Sequence, residues 1–209
     1  YYCGPVRSFG ELCRAYHLVQ NRYLERGFAQ DNDSGMRYSI LNLIPQTTTF
    51  VVVHGKKVVG TLSIVIDSAL GLPGESECKN EFDALRRKKK FLAEGTMFAC
   101  EDVGASQALV ATELMALALA WCRHATIDDL CVVVNPVHVG FYERILGFER
   151  LGEPKTVAHV DANDLDLPAL LRVRDETRSI AAGMLDPQRR RWGWLEERLS
   201  RRIRSHTGR

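Results

Sequence analysis

The chain has 209 residues, 45% of them apolar, with a net charge of +2, enough to bury one good core as a single large domain or a domain with an appendage. No apolar run reaches membrane-spanning length, and the first residues do not form a basic stretch followed by an apolar one, so a soluble protein is expected. Cys3, Cys13, Cys78, Cys100, Cys122 and Cys131 never form a Cys-x-x-Cys pair. Buried free thiols in a reducing compartment are expected, cytoplasm by default. Cys122 and His124 lack a second ligand pair, which argues against a metal site.

In chain order, Ser8 to Glu11 reads as a capping box opening a helix that buries Leu12, Tyr16, Val19 and Tyr23 and stops near Gly27. Thr49 to His54 and Val58 to Asp67 are β-branched runs joined by Gly55-Lys56-Lys57, a hairpin signal. After the turn-rich Leu72-Pro-Gly74 come a predicted helix over Glu81 to Lys90 and a strand over Leu92 to Cys100. The spacing of Val110, Leu114, Leu117, Ala118 and Trp121 predicts a helix from Ser106 to His124. A strand over Leu130 to Val134 and a helix carrying Tyr142 complete an α/β pattern without internal repeats.

Composition changes near residue 160. Asp161 to Pro168 is acidic and turn-like, Pro168 to Ala182 reads as a helix, and Asp186-Pro187 starts a last helix with Trp192, Leu195, Leu199 and Ile203 in one stripe. The expected organisation is a core over 1–160 and a helical extension over 161–209 packed on it. Residues 187–209 hold eight Arg against Glu196 and Glu197, so the overall +2 less the tail's +6 leaves −4 elsewhere. Only Trp192 and Trp194 interleave aromatics with these arginines, so nucleic acid is not the expected partner. A second basic run, Arg86-Arg87-Lys88-Lys89-Lys90, precedes the Leu92 strand and suits an acidic partner.

The stretch from Asn135 to Phe148 resembles the end of the core in GNAT-type N-acyltransferases. Asn135 closes a strand, Tyr142 follows roughly two helical turns later, and Gly147 allows a stop with positive φ before Phe148. The resemblance implies a mixed, mostly antiparallel central sheet with splayed strands, flanked by helices, and a thiol leaving group between Asn135 and Tyr142. An amine attacking a thioester must be neutral, so a carboxylate at the splayed centre is needed to accept its proton. Glu94 and Glu101 are the candidates. They lie seven residues apart, which in a regular strand turns them to opposite faces.

Glu94-Gly-Thr-Met-Phe98 is similar to the Glu-x-Ser-Arg-Phe strand of acyl-homoserine lactone synthases, and Arg22-Tyr23 resembles their first-helix motif. Met97 stands where that family has Arg, and the Asn135 to Phe148 ending is of the general GNAT kind. The combination resembles the long-chain N-acyl amino acid synthases, among which N-acyltyrosine synthases are the best-known type. It implies an acyl group donated from the phosphopantetheine arm of acyl carrier protein, no tightly bound cofactor, and an amino acid acceptor. Glu94 would be the base. Tyr142, or His138 one turn earlier, would protonate the sulfur.

Backbone N–H groups of Phe98, Ala99 and Cys100, at a bulge expected between the splayed strands, would hold the thioester carbonyl. The pyrophosphate cradle of CoA-dependent relatives is degraded here: Asp102-Val-Gly-Ala-Ser-Gln107 has a single Gly and no cation. Gly104 and Ser106 suit the one phosphate of a carrier arm, with Asn135 beside it. Arg22 and Glu101 would face the amino acid, and Arg86, Arg87, Lys88 and Lys89 would dock the acidic carrier. Two other readings are a CoA-dependent acetyltransferase of a small amine and a non-catalytic acyl-carrier or lipid-binding module. A covalent acyl intermediate on Cys100 lacks an activating His at a recognisable spacing.

Overall fold

Ser8 opens the first helix by accepting from the Glu11 N–H at 3.2 Å, while the buried Glu11 carboxylate turns back to the N–H and Nε of Arg7 at 2.8 and 2.9 Å. The structure, a computed structural model, describes residues 1–102, 105–144, 146–152 and 169–173, with Ala105, Ser106 and 169–173 described by backbone alone. Its elements are β1 (Tyr2–Pro5), α1 (Phe9–Glu25), β2 (Thr47–His54), β3 (Lys57–Ile66), α2 (Glu75–Arg87), β4 (Leu92–Cys100), α3 (Ala105–His124), β5 (Asp129–Val134), α4 (Pro136–Arg144), β6 (Phe148–Arg150) and β7 (Ala169–Val173).

The strands form one sheet in the order β1-β2-β3-β4-β5-β7-β6. Neighbours are antiparallel except β4 and β5, which run parallel. This is the expected mostly antiparallel mixed sheet. The β2–β3 hairpin closes His54 against Lys57 over a two-residue turn, Gly55-Lys56.

Helices cover both faces. Ala15, Leu18 and Val19 of α1 pack on Val51, Val53 and Ala99, and Phe82 and Leu85 of α2 pack on Val65, Leu92 and Cys131. On the other face Val110, Leu114 and Leu117 of α3, with Val139 of α4, cover Phe50, Ile64, Ala93 and Val132. Neighbouring strand residues therefore alternate between two buried faces, which is why the central strands read as continuous apolar runs.

Two expectations are corrected. The second helix begins at Glu75, six residues before the predicted start, because the chain turns at Leu72-Pro73-Gly74 with Gly74 at the cap position. It ends at Arg87, and Lys89 has a φ of 55° that no α-helix tolerates. The predicted helix over Pro168 to Ala182 is replaced across Ala169–Val173 by β7, paired on both edges. A boundary at residue 160 therefore cuts through the sheet. Ala-Leu-Leu-Arg-Val suits either a short helix or a strand, and the open edge of β5 decides between them. The basic stretch from residue 187 onward lies outside the described residues.

Candidate active site

The register of β4 builds the site. Against β5, its pairs run from Leu92↔Asp129 to Gly95↔Val132 and stop, so from Thr96 onward no described strand is registered against this edge of β4. The two parallel strands splay apart there, as expected. Against β3, Ser63 pairs with Thr96 and Thr61 with Ala99. Leu62 thus faces both Met97 and Phe98, and Met97 takes a φ of 54°. That is a bulge, and it lies where the edge opens.

The bulge overturns the parity argument. Glu94 points to the α2 face, and Gly95 to the α3 face beside Ile64 and Val132. After the extra residue, Met97 and Ala99 join the α1 cluster while Phe98 and Cys100 join the α3 cluster. Glu101 therefore returns to the same face as Glu94, not the opposite one. The two carboxylates remain roughly 20 Å apart along the strand. Glu101 is drawn to Lys57 at 3.0 Å and takes no part in the Glu94 environment.

Glu94 is 2% exposed. Its Oε2 accepts from the backbone N–H of Gly74 at 2.8 Å, at the start of α2. Loss of hydration pushes the carboxyl up to about 8, against the pull of the Gly74 N–H, with the negative charges of Glu77 and Glu75 adding to the rise. A carboxyl poised near neutral pH, two residues before the sheet opens, suits proton acceptance. Gly74 admits no side chain: a Cβ there would lie 2.7 Å from Val133 Cγ2 and 3.3 Å from Glu94 Oε1.

Tyr142 comes from α4 on the far side of the splay. It is half-buried and packs edge-on against Phe148, centroids 5.3 Å apart. Burial pushes its hydroxyl up to about 12, and Tyr23 of α1 lies near enough to add to the rise. The hydroxyl keeps its proton at neutral pH, as a general acid requires. His138 is exposed at the start of α4. Asn135 caps that helix, its Oδ1 accepting from the Val137 N–H at 2.9 Å, a role not foreseen from the sequence.

Phe98, half-buried, and Ala99 and Cys100, buried, lie along the open edge of β4. Desolvation pushes the Cys100 thiol up to about 12, which leaves it protonated and a poor nucleophile. Arg22 lies at this same end of β4, close enough for its charge to oppose that rise at Cys100, and it pairs with Glu25 at 2.5 Å. Arg22 and Glu101 thus belong to the Cys100 end of the strand and Glu94 to the Leu92 end. Gly104 and the side chain of Ser106 lie outside the described residues.

The basic run divides. Arg87, Lys88 and Lys89 are exposed. Arg86 is not a free docking charge: its guanidinium meets Asp67 at 2.7 Å, Glu75 at 2.7 Å and Asp83 at 3.0 Å. The cause is the break in α2 at Cys78, whose φ of −119° and ψ of 25° are non-helical and bring the first turn of α2, with Glu75, within reach of Arg86 beside the end of β3. Sequence reasoning also missed Gly74. The signal was the Leu72-Pro-Gly turn followed by Glu75 and Glu77, a helix start with acidic residues in its first turn.

Among the described residues no helix is long and apolar enough to cross a membrane, and no group of three His, Cys, Asp or Glu side chains could hold a metal ion. No disulfide joins any of the six cysteines, and five of them are buried.

Comparison with known proteins agrees with this geometry. A family model described as N-acyl amino acid synthase FeeM matches residues 14–167. Among solved structures, the chain is similar to FeeM, an N-acyl amino acid synthase from uncultured soil microbes, with 29% identity and a TM-score of 0.71 over 85% of this chain and 92% of that one. The acyl-homoserine lactone synthase LasI, at 18% identity and TM-score 0.57, covers 86% of this chain and 92% of its own. An aminoglycoside 6'-acetyltransferase of type Ii, at 14% identity and TM-score 0.55, covers 82% and 95%. These last two show the shared GNAT-like fold. No curated protein matches the chain. With the model spanning most of its length over a splayed sheet, the chain belongs to the FeeM family of N-acyl amino acid synthases and is an N-acyltransferase.

Proposed function

We propose that the protein transfers a long-chain fatty acyl group from the phosphopantetheine arm of acyl carrier protein to the α-amine of an amino acid, with tyrosine the favoured acceptor, in the cytoplasm. The observation that carries the chemistry is Glu94, buried, held by the Gly74 N–H at 2.8 Å and raised to about 8. Its ionised form takes the proton of an amine as the C–N bond forms. The N–H groups of Phe98, Ala99 and Cys100 on the open edge of β4 hold the thioester carbonyl and stabilise its oxyanion. As the C–S bond breaks, Tyr142 gives its proton to the departing sulfur, with His138 as the second candidate on the same helix.

Gly104 and Ser106 receive the phosphate of the arm, and Asn135 positions α4 beside it. Arg22 and Glu101 attract the charged ends of the acceptor from the Cys100 end of the strand. Exposed Arg87, Lys88 and Lys89 favour an acidic carrier, and Arg86 drops out of that set. Support for the carrier as donor comes from the weak phosphate loop and the exposed cations. Tyrosine and long-chain donors rest on family resemblance.

The test is to incubate the full chain with a mixed amino-acid pool and either acyl carrier protein or CoA loaded with acyl chains of graded length. Mass spectrometry should find N-acyl amino acids, tyrosine products first, formed faster from the carrier. Products limited to acetylated amines from acetyl-CoA would replace this reading with the acetyltransferase one.

A further inference from the structure

We infer that Arg86 is a positioning residue for Glu94, acting through Glu75 and the 71–75 turn. The inference rests on the reading of Glu94 as the base. The guanidinium spends both faces of its fork on carboxylates. Its Nε and Nη2 reach Asp67 at 2.7 Å each, Nη1 and Nη2 reach Glu75 at 2.7 Å each, and Nη1 reaches Asp83 at 3.0 Å. Two bidentate contacts fix the geometry of both partners as no lysine can.

Asp67 directly follows β3 and Glu75 opens α2, so one side chain clamps the start of the helix to the end of the strand. Glu75 in turn accepts from the Leu72 N–H at 3.2 Å. Two residues on, the Gly74 N–H meets Glu94 at 2.8 Å. The donor that orients the Glu94 carboxyl is thus held in a turn braced from the far end of α2.

The clamp also sets charge. Glu75 is held well below the usual carboxylate range, chiefly by its hydrogen bonds to Arg86, so it is anionic at any working pH. Alone it would push Glu94 further up, and the guanidinium beside it offsets that push. The groups around Glu94 are Glu75, Glu77, Cys78, Lys79, Glu81, Asp83 and Arg86 on α2, Asp67 after β3, and Asp129 and Cys131 on β5; its β3 partner Val65 is apolar. Arg86 and Lys79 are the cations of that set, and Lys79 is 65% exposed and 3.9 Å from Glu75.

The experiment compares Arg86→Gln, Glu75→Gln and the double variant in the full chain. The Glu94 midpoint is read by NMR of ¹³C-carboxyl-labelled glutamate, with Glu94→Gln for assignment, beside pH profiles of kcat and the KM for acyl carrier protein. Arg86→Gln leaves Glu75 uncompensated and should move the midpoint and the kcat limb up by roughly half a pH unit or more. Glu75→Gln leaves the guanidinium uncompensated and should move both down, and the double variant should return near the parent.

The KM for the carrier should stay within twofold in all three. An unmoved Glu94 midpoint in both single variants overturns the inference. A raised carrier KM with unchanged kcat and limb in Arg86→Gln also overturns it, restoring Arg86 as a docking charge. A midpoint that moves while the kcat limb does not would leave the clamp standing and remove Glu94 as the base. If Arg86→Gln does not fold, Glu75→Gln and Arg86→Lys decide; the latter keeps the charge but not the two forked contacts, so its midpoint should stay nearer the parent than a neutral residue would leave it while kcat falls, and a parent kcat in Arg86→Lys would overturn the positioning role.

Discussion

The backbone N–H of Gly74 donates to Glu94 Oε2 across 2.8 Å, joining the start of α2 to β4. Removing proton acceptance while keeping that contact is the direct test of the base. Glu94→Gln should fold and lose roughly 10²-fold or more in kcat, the usual worth of a positioned general base. The parent kcat should rise with pH through a midpoint near 8, and the variant should lack that limb. A raised amino-acid KM with kcat near normal would mean that Glu94 holds the acceptor's ammonium instead.

Crowding Gly74 tests the same contact from the other side. Its φ of −85° suits any residue, so the obstacle to Gly74→Ala is space alone: the new Cβ meets Val133 Cγ2 at 2.7 Å and Glu94 Oε1 at 3.3 Å. Either the turn or the carboxyl must shift. Thermal unfolding should register a loss of about 1–3 kcal/mol, and kcat should fall roughly tenfold through misplacement of Glu94.

Stability should carry the signature of Glu94 with a definite sign. Its folded-state carboxyl sits at about 8, above its ordinary value of 4.5, so the folded protein binds the proton more tightly than the unfolded chain does. Its contribution is complete below that ordinary value and is lost as pH rises through 8. Comparing melting temperatures across this window, Glu94→Gln should gain on the parent as pH rises. A parallel pair of curves would show that Glu94 ionises freely in the folded state.

Tyr142 and His138 are separated by burial. Tyr142 is half-buried, with its hydroxyl raised to about 12, whereas His138 is exposed. Tyr142→Phe should lower kcat by roughly 10- to 100-fold with a pantetheine thioester, and much less with an aryl thioester whose thiolate leaves without a proton. His138→Ala should change kcat by less than about threefold. The reverse ranking would assign the proton to the histidine.

Charge reversal at Arg87, Lys88 and Lys89, each to Glu, should raise the KM for acyl carrier protein and leave the amino-acid KM within about twofold. The effect should shrink as salt rises from about 0.05 to 0.5 M, because exposed charges are screened over a few ångströms at the higher value. Loss confined to kcat would move these residues out of the docking surface.

Local signals were strong where one element buries one face or one turn demands one residue type. The strand over Leu92 to Cys100 appears with the bounds its apolar run indicated, the helix after Ser8 is capped by that serine, and the hairpin closes at Gly55-Lys56. The Asn135 to Phe148 stretch was legible too, with α4 between them and Gly147 at a φ of 67°. Periodicity, caps and turn chemistry are properties of neighbouring residues, so a single sequence displays them.

Tertiary structure decided what depends on distant partners. The bulge at Met97 is a mismatch of register between β3 and β4, and it returns Glu101 to the face of Glu94 although strand parity separates them. Arg86 reads as part of a basic run, yet Asp67 and Glu75, nineteen and eleven residues away, claim its charge. Ala169–Val173 becomes a strand because β5 and β6 both offer an edge to it. The identity of the buried carboxylate could be read from the chain itself. Its basicity could not, because that is set by the hydration it loses and by the Gly74 N–H that only the folded turn brings to it.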